Sequence, residues 1–390
     1  MLFILFLVRL SMGYQFQSVA STSEQLINDF GLSYAQIGTL IGFFLLPGVF
    51  FSIPSGAVTR AVPDKKLLIL GAFTMVVGAA VMGLAVDGFS LFAGRLITGL
   101  GGTIFNVILT KMVTDWFVKK EIVFALSVML TAWPVGIALG LLTHALISDT
   151  YGWNGVMFAT AIFSFIAMLV TASLYQAPIK SGIQIDEPLR FGLPSRQLVH
   201  MSVVGLAWTL YNACLIVVVS FAPAVFIAAG YEAGAAHSVT SLFMWAMMIS
   251  LPLGGRIMGS FETVTPAVVS ALLIASVLVV ALAFGVLPAL STVLFGLFAG
   301  IPGGALMSLS AQAVSSSNRG PGLGIFYTWY YVGMTLAPAV AGGLRDWSGS
   351  SQIPVLFAAL MLIGVVFLVI LFRVLQKRWP IDKYRHGVVS

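Results

Sequence analysis

Charge is scarce in this chain. Of 390 residues only 8% are Asp, Glu, Lys or Arg and 59% are hydrophobic, whereas roughly a quarter of a soluble domain is charged. A water-soluble globular fold is excluded, and a mean hydropathy of +1.04 points to a membrane protein surrounded by a lipid bilayer. Cysteine is nearly absent: Cys214 alone rules out a disulfide framework and a thiolate metal site, and in its apolar run it reads as an inert buried thiol. The four histidines, His144, His200, His237 and His386, stand at no metal-ligand spacing. Gly-x4-Gly-Lys, His-Glu-x-x-His and Gly-x-Ser-x-Gly motifs are all missing, so the sequence predicts no enzyme, no catalytic residue, no metal and no cofactor. The net charge of +6 does not signal nucleic acid, because basic residues collect in the cytoplasmic loops of polytopic proteins for topological reasons.

Long apolar runs fill the chain. A span takes about 20 apolar residues, and cutting at charges, prolines and glycine turns places spans near 2–22, 35–57, 67–86, 90–111, 122–147 and 153–176. A second set follows near 197–222, 237–258, 264–285, 289–312, 322–344 and 352–376. The sequence therefore predicts an all-α membrane protein of twelve transmembrane helices in two pseudo-symmetric six-helix bundles. The expected domains are an N-terminal bundle over 1–176, a linker over 177–196 broken by Pro178, Pro188 and Pro194, a C-terminal bundle over 197–376 and a tail over 377–390. The first run follows Met1 without a basic segment or small-residue cleavage site, so it is expected to be retained as a span. With the N-terminus inside, sixteen of the nineteen Lys and Arg residues fall in cytoplasmic loops and tail, and only Arg345 falls in an outer loop. Both termini are then cytoplasmic, in a plasma (inner) membrane.

Weak internal repetition supports two duplicated halves. Ser52-Ile-Pro-Ser-Gly56 returns as Ser250-Leu-Pro-Leu-Gly254, 198 residues on, and Gly94, Gly101 and Gly102 return as Gly296, Gly303 and Gly304, 202 residues on. Two matches in order at nearly one offset suit halves related by an axis along the membrane normal.

Four stretches carry a family resemblance. Arg95-Leu-Ile-Thr-Gly99-Leu-Gly101-Gly102 resembles the fourth-helix motif of the major facilitator superfamily. Trp133-Pro134-Val-Gly136-Ile-Ala-Leu-Gly140 is similar to its fifth-helix glycine-proline motif, with a tryptophan where a glycine is usual. Tyr151-Gly152-Trp153 resembles the lead into its sixth helix. The loop from Gly56 to Lys66 resembles the signature between helices two and three, but Arg60 replaces the usual aspartate and Pro63 the second glycine, so that motif's acidic gating contact does not carry over. The resemblance implies a secondary transporter working by alternating access, with pairs of arginines in helices one and four pointing to an anion-transporting branch.

The candidate binding residues follow from an imbalance. All thirteen carboxylates lie outside the predicted spans, whereas Arg9 and Arg95 lie within them. A buried arginine costs at least about 2.5–3.5 kcal/mol and needs a partner, and an anion suits its planar fork. Gly13 and Gln17 continue the face of Arg9; Gly99, Gly102 and Asn106 continue that of Arg95 at helical spacing. The expected substrate-binding set is Arg9, Gln17, Arg95, Asn106, Asn212 and Tyr331. Gln15, Thr131, His144, Trp208, Tyr211, Trp245, Tyr327, Trp329, Tyr330 and Thr335 are secondary. Bland readings compete with each: Arg9 snorkelling to headgroups, Arg95 bonded to backbone carbonyls in a packing seam, aromatics in interfacial belts, and His144 solvated near a helix end.

The expectation is a monomeric carrier of a small, negatively charged solute. Its rivals are a transporter of neutral or amphipathic compounds, including efflux, with structural arginines, and a membrane sensor.

Overall fold

The structure is a computed structural model and describes residues 1–51, 62–117, 122–176, 193–259, 264–315 and 318–381. The Ser52–Gly56 half of the repeat, most of the loop motif after it and His386 lie outside the described residues, as do 177–192 of the expected linker and 382–390 of the tail.

The chain is helical throughout these residues: α1 (Leu2–Ser21), α2 (Ser23–Phe30), α3 (Tyr34–Phe43), α4 (Leu46–Phe51), α5 (Asp64–Gly83), α6 (Gly88–Trp116) and α7 (Ile122–Leu174), then α8 (Ser195–Ala228), α9 (Ala233–Gly259), α10 (Val264–Ala283), α11 (Pro288–Gly300), α12 (Gly303–Gln312), α13 (Arg319–Ser348) and α14 (Gln352–Arg378). Among the described residues nine helical segments are long and apolar enough to cross a membrane. The nine become twelve crossings for three reasons. The 53-residue α7 holds two, the second span is interrupted between α3 and α4, and α13, rich in polar and aromatic residues, is less apolar than the nine. Backbone groups in lipid must be satisfied within the helix, and large apolar side chains such as Leu70, Phe73, Leu169, Val277 and Phe367 cover the perimeter.

Local chemistry sets the turns. Asp87 starts α6 with a reciprocal cap: its amide donates to Ser90 Oγ at 3.4 Å, and its carboxylate accepts from the Ser90 amide at 2.8 Å and from the Ser90 hydroxyl at 2.6 Å. The carboxylate's bonds, the hydroxyl's first, hold the Asp87 carboxyl below its ordinary range. Gly152 sits at φ 67° within α7, a left-handed conformation that a residue with a Cβ resists, and it divides the fifth span from the sixth. Beyond it, Trp153 donates from Nε1 to Asp29 at 2.7 Å and Asn154 donates to the Gly83 carbonyl at 2.9 Å, fixing where the sixth span begins.

Packing sorts the helices into two groups. α1 packs on α7 and α5 on α6 and α7, whereas α8 packs on α13 and α14, α9 on α11 and α10 on α14. Contacts between the groups run mainly through α3 and α4 against α13, through α7 against α9, and more thinly through α1 against α8. Within the first group α1 and α7 approach to backbone contact: a Cβ on Gly136 would lie 2.8 Å from the Tyr14 amide nitrogen, and one on Gly13 2.5 Å from the Trp133 carbonyl oxygen. Small residues allow such approaches in membranes.

Candidate functional site

Arg9 points into the space between the groups, not along the helix toward headgroups. Its Nη1 donates to Asn106 Oδ1 on α6 at 3.3 Å. Asn106 in turn is hydrogen-bonded to the Tyr331 hydroxyl on α13, so one chain of polar contacts joins α1 and α6 to a helix of the opposite group. The charge of Arg9 is felt by Tyr327, Tyr330 and Tyr331 together. These three rings cluster on one face of α13, with Tyr330 meeting Tyr331 edge-on at 5.2 Å and Tyr327 lying 6.5 Å from Tyr331. The Tyr331 ring fills the groove left by Gly48 on α4. Among the described residues no carboxylate pairs with Arg9, and its Nε is buried without a hydrogen-bond partner.

The structure thus brings together three of the six residues expected from sequence, Arg9, Asn106 and Tyr331. It places the other three elsewhere. Arg95 has no exposed surface. Its Nε donates to the Leu40 carbonyl at 3.0 Å, Nη1 to that of Gln15 at 3.3 Å and Nη2 to that of Phe16 at 2.8 Å, and the guanidinium lies over the rings of Phe44 and Phe16. The packing-seam reading describes this geometry: Arg95 ties α6 to α1 and α3 and in this conformation has no access to a solute. Gly99 and Gly102 carry the same seam along the C-terminal end of α3, backing onto the backbone and ring of Phe44, and only its far end, Asn106, reaches Arg9.

Gln17 is likewise fully buried, against Gly140 of α7, with Nε2 bonded to Ser21 at 3.3 Å. Eight residues, about 12 Å of helix, separate it from Arg9. Asn212 spends its amide on the carbonyl of Trp208 one turn back, at 2.8 Å. Among the secondary candidates, Gln15 donates to the Met75 carbonyl at 3.0 Å and Tyr211 to that of Ala299 at 2.7 Å, both as helix-to-helix ties. His144, read as solvated, has 0% exposure: the Tyr14 ring of α1 meets it at 4.4 Å, and α9 packs on the same helix.

Sequence reasoning missed one arrangement altogether. At the end of the molecule that carries Glu24, Arg345 of α13 donates to the Tyr34 hydroxyl at 2.8 Å and to Glu24 at 3.4 Å. The neighbouring Asp346 accepts from the amides of Tyr34 and Ala35 at 3.0 and 2.8 Å. The backbones of α3 and α13 touch through Gly38, Gly42 and Gly342. The groups are therefore closed onto each other at this end, around a recess of about 530 Å³ lined by Glu24, Tyr34, Arg345, Asp346 and the end of α8. The opposite end carries Asp64, Lys65 and Lys111. There both Asp64 oxygens accept from Lys111 at 2.8 Å, a tie within the first group only.

Two helical groups thus meet around a shared polar site, with their contacts concentrated on two helix pairs. The sequence profile of the Major Facilitator Superfamily matches residues 1–236, and the chain belongs to that superfamily as a multi-pass membrane protein. Two structures of a bacterial homologue of the human lysosomal transporter Spinster share the twelve-helix fold over nearly the whole chain. The inward-facing, occupied form has a TM-score of 0.74 at 15% identity, covering 99% of this chain and 98% of that one. The unoccupied form has 0.72 at 15%, covering 96% and 95%. Among sequence relatives, an uncharacterized protein of Campylobacter jejuni is 26% identical over 170 residues, 43% of this chain and 52% of its own. The D-galactonate transporter of Escherichia coli O6:H1 is 27% identical over 173 residues, 44% of this chain and 40% of its own. The chain spans about half the length of these curated relatives.

Proposed function

We propose that the transported solute is a small organic or inorganic anion, held where Arg9, Asn106 and Tyr331 meet between the two bundles. One observation carries this reading: a guanidinium inside the membrane layer has a single amide acceptor, an unpaired buried Nε and three tyrosines around it, with no carboxylate beside it among the described residues. A charge in that position needs compensation. A carboxylate or oxyanion supplies it through two parallel hydrogen bonds to the fork, and tyrosine hydroxyls add neutral donors. The D-galactonate named for the E. coli relative is a sugar acid, which supports an anionic cargo here. In this reading Arg95 and Gln17 shape the walls and Asn212 lines the opposite bundle.

We further propose two bundles over 1–176 and 197–376, a cytoplasmic linker over 177–196 and a cytoplasmic tail over 377–390, in a monomer of the inner membrane. The basic residues favour this orientation: Lys65, Lys66, Lys111, Arg196, Lys377 and Arg378 stand at one end and Arg345 at the other. The closed Glu24 end is then the outer side, and transport is a rocking of the bundles about the central site.

Purified protein in proteoliposomes, offered galactonate, short monocarboxylates, nitrate, cyanate and hydrophobic dyes, tests the cargo. Uptake of at least one anion is expected, lost in Arg9→Gln with the protein still monodisperse. Undiminished anion uptake by Arg9→Gln, or transport of dyes alone, overturns the reading in favour of neutral or amphipathic cargo.

A further inference from the structure

His144 is a titratable side chain that the anion site does not use. It has no exposed surface, and neither Nδ1 nor Nε2 has a hydrogen-bond partner. From α1, Tyr14 meets the imidazole edge-on at 4.4 Å while its hydroxyl is engaged with Thr143 at 3.0 Å. Gln17 lies against the same Gly140 that His144 covers, and its Oε1 is also buried and unpaired. From α9, across the boundary between bundles, His237 lies within electrostatic range. Its Nδ1 is 2.8 Å from the Ala233 carbonyl, so that Nδ1 carries the proton and Nε2 the lone pair. Asp149, one turn further along α7, acts on His237. In α2, Glu24 is committed to Tyr34 and Arg345, and Asp29 to Trp153. No carboxylate is paired with the imidazole among the described residues.

A neutral imidazole fits this place, at the cost of an unpaired donor and acceptor. An imidazolium fits poorly: it has two donors and a net charge, and among the described residues it meets one unpaired acceptor, no paired acid and a second histidine. Parting α7 from α9 would give both nitrogens water. A group that holds its proton more tightly in one of two conformations shifts the balance toward that conformation when the proton binds. We propose that His144 is a proton-binding site that controls the outer gate: neutral, it allows the closed arrangement of α7 and α9, and protonated, it holds the outer side open. The ligand is the proton itself. The inference rests on the proposed orientation but not on the charge of the cargo.

The test uses full-length protein with Cys214→Ala and a reporter cysteine, Ala236→Cys, which is buried on α9 beside His237. A membrane-impermeant maleimide is applied from outside between pH 8 and pH 5, with labelling normalised to exposed Ser348→Cys to remove the thiol's own pH dependence. Labelling of Ala236→Cys is expected to rise about ten-fold on acidification from pH 8 to pH 5. Adding His144→Gln should flatten the response to under two-fold, whereas His237→Gln should keep it. A response that survives in His144→Gln, or a flat wild type, overturns the proposal. Labelling of Ser348→Cys only from the inner side overturns the orientation instead. Where His144→Gln fails to assemble, nitrogen NMR of ¹⁵N-histidine wild type decides: a His144 that stays neutral at pH 5 overturns the switch.

Discussion

The Arg345 guanidinium lies 3.5 Å above the ring of Tyr34 and donates to its hydroxyl, joining residues 311 positions apart. Beside this pair, Asp346 completes a helix cap that α3 cannot complete alone. Ser33 accepts from the amide of Gln36, and the preceding amides of Tyr34 and Ala35 are left to the carboxylate of the opposite bundle. The first amides of a helix have no partner within it, and its positive end favours an anion. The bundles are thus held together at this end by a shared cap.

That cap ranks two substitutions. Glu24 is largely exposed and 3.4 Å from Arg345, so Glu24→Gln should change the gate by well under 1 kcal/mol. Asp346→Asn keeps one acceptor and loses the charge on two amide bonds, about 1.4 kcal/mol or roughly ten-fold in the closed-to-open ratio. Spin labels on Tyr151→Cys and Ser348→Cys report that ratio by distance. Asp346→Asn should populate a longer distance that Glu24→Gln does not, and equal effects would remove the cap as the latch.

The anion site makes a graded expectation on its far side. Tyr331 is 3% exposed and contacts the site through Asn106. Tyr331→Phe removes one neutral hydrogen bond, worth about 0.5–1.5 kcal/mol, and should weaken affinity for the transported anion several-fold with turnover retained. Arg9→Lys keeps the charge but not the fork and should weaken it further. Competition binding on purified protein measures both, and an unchanged affinity in both variants would remove these contacts from the site.

Much of this architecture was legible before any coordinates. Apolar runs separated by prolines and charges place the helices, because lipid forces every span to close its own hydrogen bonds. The contrast between membrane-depth arginines and acids confined to the ends singled out Arg9, and helical spacing put Asn106 on the seam that reaches it. What was not legible depends on contacts between distant segments. Arg95 has the same local signature as Arg9, and only the carbonyls of Leu40, Gln15 and Phe16, contributed by α3 and α1, assign it to packing. His144 sits near the end of its span, where a solvated side chain is expected, and Tyr14 of α1 packs against it instead. Arg345 and Asp346 look like ordinary loop charges until α3 is seen starting beneath them.

Arg95 and Arg9 therefore separate by experiment. Arg95→Met removes three donors from buried carbonyls, each bond to a charged group being worth about 1.5–3 kcal/mol, but it also removes the desolvated charge, so the net loss is smaller than that sum. The expected result is a thermal midpoint lowered by several degrees in detergent, together with near-normal anion affinity in the fraction that stays folded. Arg9→Gln should show the reverse, because among the described residues Arg9 makes one long contact to Asn106 and ties no backbone: an unchanged midpoint and no binding. A midpoint series paired with competition binding on both variants decides it, and loss of affinity without loss of stability in Arg95→Met would return Arg95 to the binding site.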